Sequence, residues 1–254
     1  MNPAQELAEK GWVKFSFDPQ ILAWVNSVHE AANQAIDAPE NAVWRRAGGT
    51  WFVGVNVLPN DPNGCVPGGV PLAGQVIDFL PRSNWDRAQI SVMYPGYPIQ
   101  DKGETDASFR FRQKRFAAHV DGLTIEGTEN RRFLTEPHAF VLGLPLTDCA
   151  ASPLMAWEGS HKKIKETFAN VFADIPPDEW SKIDVTDAYK SVRKTILNAV
   201  EPTPVIAKPG EAYVIHRLAL HGVAPWTGTE TTPRKIAYFR PTVSGSIAQW
   251  LALP

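Results

Sequence analysis

RFAAHVDGL, residues 115–123, sets His119 two positions before Asp121. On an extended strand, or at its end, residues two apart project from one face. A metal ion requires that of two neighbouring ligands. Alone, the pair reads more readily as a surface or hydrogen-bonded core histidine beside an acid. Outward from it, the chain looks like short strands broken by turns. Trp12, Lys14 and Ser16 alternate with Val13, Phe15 and Phe17, as in a half-buried strand. Further strands are expected at 89–94, 109–116 and 138–146, and in TPVIAK (203–208), EAYVIHRLAL (211–220) and RKIAYFRP (234–241).

Helices gather at the start and in one insertion. A short helix is expected to about residue 10. Asp18-Pro19 then supplies an N-cap followed by proline in the first turn. Ile21, Leu22, Val25, Val28 and Ala32 recur at helical spacing behind it, giving an amphipathic helix to about residue 36. A short helical stretch follows near 75–80. Residues of about 162–200 read as helical, interrupted at Pro176-Pro177-Asp178. Residues 60–71 are crowded with Asn, Asp, Pro and Gly and must form a loop. The polar stretch YPGYPIQDKGETDAS (94–108) is a second loop and a candidate lid. The pattern predicts a mainly β fold with flanking helices, a jelly roll or double-stranded β-helix of cupin type, as a single domain over 1–254.

Composition narrows the function. The 254 residues are 44% apolar with a net charge of -2, and no basic tract points to nucleic acid or an anionic membrane. Cys65 and Cys149 stand far apart, which excludes a disulfide framework and zinc-ribbon spacing. No apolar run reaches membrane-spanning length, and the N-terminus lacks the layout of a signal peptide, so a cytoplasmic location is expected. No glycine-rich phosphate-binding motif occurs.

AYVIHRLALHGVAPW (212–226) supplies His216 and His221 as candidate third ligands. Two histidines and one carboxylate make a facial triad that leaves adjacent positions open on a non-haem iron, as a bidentate 2-oxo acid and dioxygen need. The far carboxylate of 2-oxoglutarate then requires a cation. Arg234, opening RKIAYF, offers a planar fork for it. Taken by itself, Arg234 is an ordinary strand-end charge.

The ordered set HVDG (119–122), PLMAWEGSHK (153–162), VIHRLALHG (214–222) and RKIAYF (234–239) resembles the phytanoyl-CoA dioxygenase family of Fe(II)/2-oxoglutarate oxygenases. The strand and helix at the start resemble that family's opening. The resemblance implies His119, Asp121 and His221 as iron ligands and Arg234 as the 2-oxoglutarate anchor. It leaves His216 as a second-choice ligand or a hydrogen-bonded structural histidine, and His161 structural, capping a turn. It implies hydroxylation of an unactivated C–H of a small molecule with release of succinate and CO2, because halogenases related to the family lack the carboxylate held here by Asp121. Two departures stand out: Val223 replaces a small hydroxyl residue after the late His-Gly, and Glu158 replaces a proline before Gly159-Ser160-His161.

Substrate contacts are less defined. Arg110 and Arg112, alternating with Phe109 and Phe111, and Arg132 are expected either to favour an anionic molecule or to form surface ion pairs. Trp157 is expected near the active-site wall, and Tyr94 either in a lid contact or in loop packing. Two other functions remain open: a jelly-roll binding protein without catalysis, and a zinc hydrolase using the same ligands.

Overall fold

The computed structural model describes residues 1–81, 84–243 and 245–253. Asn2 caps α1 (Pro3–Lys10) in a reciprocal box with Gln5, and Gly11 stops it in a left-handed conformation with φ 85°. After β1 (Trp12–Phe15), Asp18 caps α2 (Pro19–Asp37), whose buried stripe includes Ile21, Trp24, Val25, Val28 and Ala32. There follow a 3-10 turn (Pro39–Trp44), β2 (Arg45–Arg46), β3 (Trp51–Phe52), α3 (Gln75–Phe79), β4 (Gln89–Met93), α4 (Asp106–Arg115), β5 (Leu123–Glu126) and β6 (Arg131–Leu134). The second half holds β7 (Phe140–Pro145), β8 (Leu154–Ala156), α5 (Ser160–Phe172), a 3-10 turn (Trp180–Lys182) and α6 (Thr186–Ala199). It ends with β9 (Thr203–Val205), β10 (Ala212–His216), β11 (His221–Val223), β12 (Arg234–Phe239) and α7 (Ile247–Ala252).

Seven strands form the large sheet in the order β1-β10-β7-β12-β4-β3-β2, and β11-β8-β9 form a smaller one. Every pairing in them is antiparallel. β7 lies inside the large sheet and is buried along its whole length, so it reads as the continuous apolar run FVLGLP. Its alternate residues serve two layers. Phe140, Leu142 and Leu144 meet α2 through Trp24 and Val28, whereas Val141 faces inward. Between the sheets, Val141, Tyr213, Ile215, Ile236 and Tyr238 of the large sheet pack on Leu154, Ala156 and Val205 of the small one. The architecture is mainly β with flanking helices, a two-sheet jelly-roll arrangement that does not close into a barrel.

The helical stretch expected at 162–200 lies between β8 and β9, with the break at Pro176-Pro177 between α5 and the second 3-10 turn. Ile164, Phe168 and Phe172 of α5 pack with Tyr189 and Ile196 of α6 and with Leu218 and Leu220. Among the described residues, no helix is long and apolar enough to cross a membrane.

One element is corrected. Residues 109–116, expected as a strand, lie in α4 and its C-cap. The alternation Phe-Arg-Phe-Arg mimics a strand, but Thr105 accepts a hydrogen bond from Ser108 N, Asp106 sits in the first turn and Arg112, Lys114 and Arg115 in the last. Cap and helix dipole therefore outweigh a short two-residue period. The loop expected at 94–108 ends where this helix starts. Asp101 anchors it, its carboxylate accepting from Ala47 N and Gly48 N at 2.7 Å each.

Candidate metal centre

His119 and His221 face each other across a two-residue bridge. His119 N donates to His221 O at 2.8 Å and His221 N to His119 O at 3.0 Å. The approach is close enough that a side chain at Gly222 would press on the Phe116 carbonyl, which accounts for a glycine after His221. The imidazoles lie 4.7 Å apart between centroids.

Each ring is tethered through Nδ1. His119 Nδ1 is 3.0 Å from Ala117 O, and His221 Nδ1 is 2.9 Å from Ala219 O. A carbonyl only accepts, so both Nδ1 atoms carry a proton and Nε2 is the atom each ring turns toward the third residue. The two Nε2 atoms converge on one oxygen: Asp121 Oδ1 is 3.2 Å from His119 Nε2 and 3.9 Å from His221 Nε2. All three donor atoms lie within 4.8 Å of one another. Metal-ligating histidines characteristically make this second hydrogen bond, which fixes ring orientation and tautomer.

Burial alone would raise the Asp121 pKa, but the hydrogen bond from His119 and the charges of His221, Arg240 and His119 hold the carboxyl well below the usual range. Desolvation by its neighbours pulls the half-exposed His119 down, yet the hydrogen bond and charge of Asp121 outweigh it and leave its pKa raised. At His221 burial prevails over the Asp121 charge and lowers the pKa. Asp121 is thus a carboxylate, and the buried His221 a neutral donor, at neutral pH.

Arg240, the residue after β12, was not singled out from the sequence. Its Nη1 lies 3.4 Å from Asp121 Oδ2, leaving Oδ1 to the histidines. The signal was present: Arg234, Ile236, Tyr238 and Arg240 are spaced two apart, so an extended strand carries them on one face.

A cavity of about 160 Å³ runs from the triad between the sheets, walled by apolar groups including Val141, Leu154, Ile215 and Val223, with Tyr238 and Ser91 among its polar groups. Val223, where a hydroxyl residue was expected, makes this wall apolar. Arg234 does not line that cavity; it is 4% exposed and lies close to Tyr213 and Tyr238. Tyr213 in turn donates to Tyr238 at 2.9 Å. Burial, and then Tyr238, lift the Tyr213 hydroxyl's pKa well above its ordinary value, so it stays protonated. Arg234 Nη1 has no hydrogen-bond partner. A buried guanidinium nitrogen left unpaired is costly and marks a place where an anion fits.

The remaining expected site residues separate. Arg132 stands beside the triad in a second cavity. Arg110 is exposed on α4, and Arg112 pairs with Glu104 at 2.9 Å behind Trp51. Trp157 is fully buried against Phe116 and lines neither cavity at the triad. Tyr94 packs against the core on the other side of the large sheet, with Arg45 over its ring. His161 bonds Ala8 O at the end of α1 and packs at a tilt against His216, whose Nδ1 accepts from Leu218 N. His216 ends β10 in the large sheet and His221 begins β11 in the small one, so the two lie on separate strands.

Protein-family models give no match to this chain, and no curated protein matches it. Among solved structures it is similar to EctD from S. alaskensis with bound Fe, at 13% identity over 96% of this chain and 77% of that one, TM-score 0.47. AviO1 from Streptomyces viridochromogenes Tue57 is similar at 12% identity, covering 96% and 95% of the two chains, TM-score 0.46. SnoK, a non-heme alpha ketoglutarate dependent carbocyclase from nogalamycin biosynthesis, is similar at 12% identity over 95% and 87%, TM-score 0.44. These likenesses are loose. The functional assignment rests on the side chains.

Proposed function

We propose that the protein is an Fe(II)/2-oxoglutarate-dependent oxygenase that hydroxylates a small molecule, as its sequence resemblance to the phytanoyl-CoA dioxygenase family implies. The observation that carries this reading is the convergence of two Nδ1-tethered histidines on one carboxylate oxygen. Two histidines and a carboxylate suit ferrous iron and leave positions for other ligands. The unpaired Arg234 nitrogen at the far end of the inter-sheet core supports a dicarboxylate cosubstrate.

Bound iron with 2-oxoglutarate and O2 would supply the oxidation: one oxygen atom enters the substrate C–H as hydroxyl, the other enters succinate, and CO2 leaves. The chain's own part is positioning. His119, Asp121 and His221 hold the metal on one face, and Arg240 steadies Asp121. Tyr238, which lines the triad cavity and lies close to Arg234, would carry the far carboxylate's hydrogen bonding inward. The apolar walls keep water from the reacting centre.

The test is anaerobic titration of metal-free protein with Fe(II) and then 2-oxoglutarate, following the weak visible band of the chelate. The band is expected with wild type and absent with His221→Ala. Metal binding without the band would favour a zinc hydrolase or a binding protein, and no metal binding would refute the triad.

A further inference from the structure

The triad opens on a second chamber, unlike the apolar one. It has a volume of about 320 Å³ and shares His119, Asp121 and Arg240 with the first cavity. Its far wall is built by β5, β6 and α6, through Leu123, Arg132, Tyr189 and Arg193, and by Glu136 just after β6.

The arginines are the unusual feature. Asp121 is engaged by Arg240 and the histidines, and Glu136 lies 3.6 Å from His138 on the surface side. The nearby acids Glu129, Asp184 and Asp187 are all taken by Arg131. Among the described residues, no ion pair reaches Arg132 or Arg193. Arg132 has the Asn130 carbonyl at 3.3 Å and the Tyr189 ring at 6.0 Å. Arg193 has the Ala118 carbonyl at 3.4 Å and lies over Tyr189 at 5.2 Å and Phe111 at 4.8 Å. Two guanidiniums thus lie over one ring with neither in an ion pair among the described residues, and the Tyr189 hydroxyl accepts from Val120 N at 3.1 Å, between the two ligands of the His-x-Asp pair. An oxyanion there would relieve the repulsion and use the planar forks.

The approach is cationic too. Arg193 also lines a surface groove with Arg115, Lys190 and Lys194, and residues 190, 193 and 194 share one face of α6. Such a strip raises the local concentration of anions at the chamber mouth.

We propose that this chamber binds the anionic end of the substrate, a carboxylate or phosphate monoester held by Arg132 and Arg193, with its aliphatic body passing Leu123 toward the triad. The proposal rests on the oxygenase reading for its link to catalysis but concerns a separate set of residues. The expected class is therefore a small aliphatic oxyanion, and the apolar chamber is left to the cosubstrate.

The probes are hexanoate, hexyl phosphate and uncharged hexan-1-ol, measured by calorimetry on protein loaded anaerobically with Fe(II) and 2-oxoglutarate, and again on metal-free protein. An anion is expected to bind wild type at least tenfold more tightly than the alcohol. Comparison of hexanoate with hexyl phosphate assigns the head group. Arg132→Gln and Arg193→Gln should each weaken anion binding about 10- to 100-fold, whereas Arg110→Gln on exposed α4 leaves it unchanged. The 2-oxoglutarate chelate band should persist in all three. Equal binding of hexanol and the anions by wild type overturns the proposal and needs no variant. So does anion binding indifferent to Arg132 and Arg193, and so does loss of the chelate band in either variant, which would assign these arginines to the cosubstrate. Anion binding that depends on both arginines in a protein giving no chelate band would uphold the anion site while refuting the oxygenase reading.

Discussion

Asp121 faces two demands, since Oδ1 meets both imidazoles while Oδ2 meets Arg240. Arg240→Met removes the partner that fixes the carboxylate's orientation and lowers its proton affinity. Iron affinity should fall about 10- to 100-fold, the usual cost of losing an outer partner of a ligand, with Arg240→Lys recovering part; competition against a chelator of known affinity measures it. Arg234 is expected to act on the cosubstrate alone. Arg234→Met should leave iron affinity unchanged and weaken 2-oxoglutarate at least about tenfold, by the loss of charged hydrogen bonds, read from the chelate band. Parallel loss of iron and cosubstrate affinity would show instead that Arg234 merely supports the fold.

At the scale of elements, α4 is held by Glu104, whose Oε1 accepts from Arg112 Nη2 at 2.9 Å and Ser108 Oγ at 3.1 Å. Burial alone would lift the Glu104 pKa, but the Arg112 hydrogen bond and charge hold it below the usual carboxylate range. A depressed folded-state pKa means stability that is present above the ordinary carboxylate value and lost as pH falls through the depressed one. Glu104→Gln should therefore lower Tm at pH 7, and the gap should narrow as the pH falls below the ordinary carboxylate value of about 4.3. A gap independent of pH would show that the ion pair contributes nothing. The same helix marks where sequence reading stopped. Its Phe-Arg alternation outshone the cap at Thr105, because short-range periodicity carries no information about which end signals win. α2 was legible because its cap, proline and apolar stripe agree. His119 and Asp121 were legible because two-residue spacing fixes a shared face. Arg240 beside Asp121, and Arg193 beside Arg132, depend on sheet register and on how α6 packs, which no local pattern encodes.

Across the whole molecule, the candidate ligands are divided between layers. His221 belongs to the small sheet, His119 and Asp121 to the loop bridged to it, and Arg234 to the large sheet. On the proposed reading, a dicarboxylate running from the triad to Arg234 would tie the two sheets together, with no counterpart in the unfolded chain. A ligand that binds only the folded state stabilises it by about 2.7 kcal/mol at a hundred times its Kd, so Fe(II) should raise Tm by roughly 5–10 °C. 2-Oxoglutarate should add a further increment only when the metal is present, because its keto-acid end needs the metal. EDTA should abolish both increments together, and Arg234→Met only the second. An equal 2-oxoglutarate shift in metal-free protein would place the dicarboxylate away from the triad and remove the basis for coupling the two sheets through it.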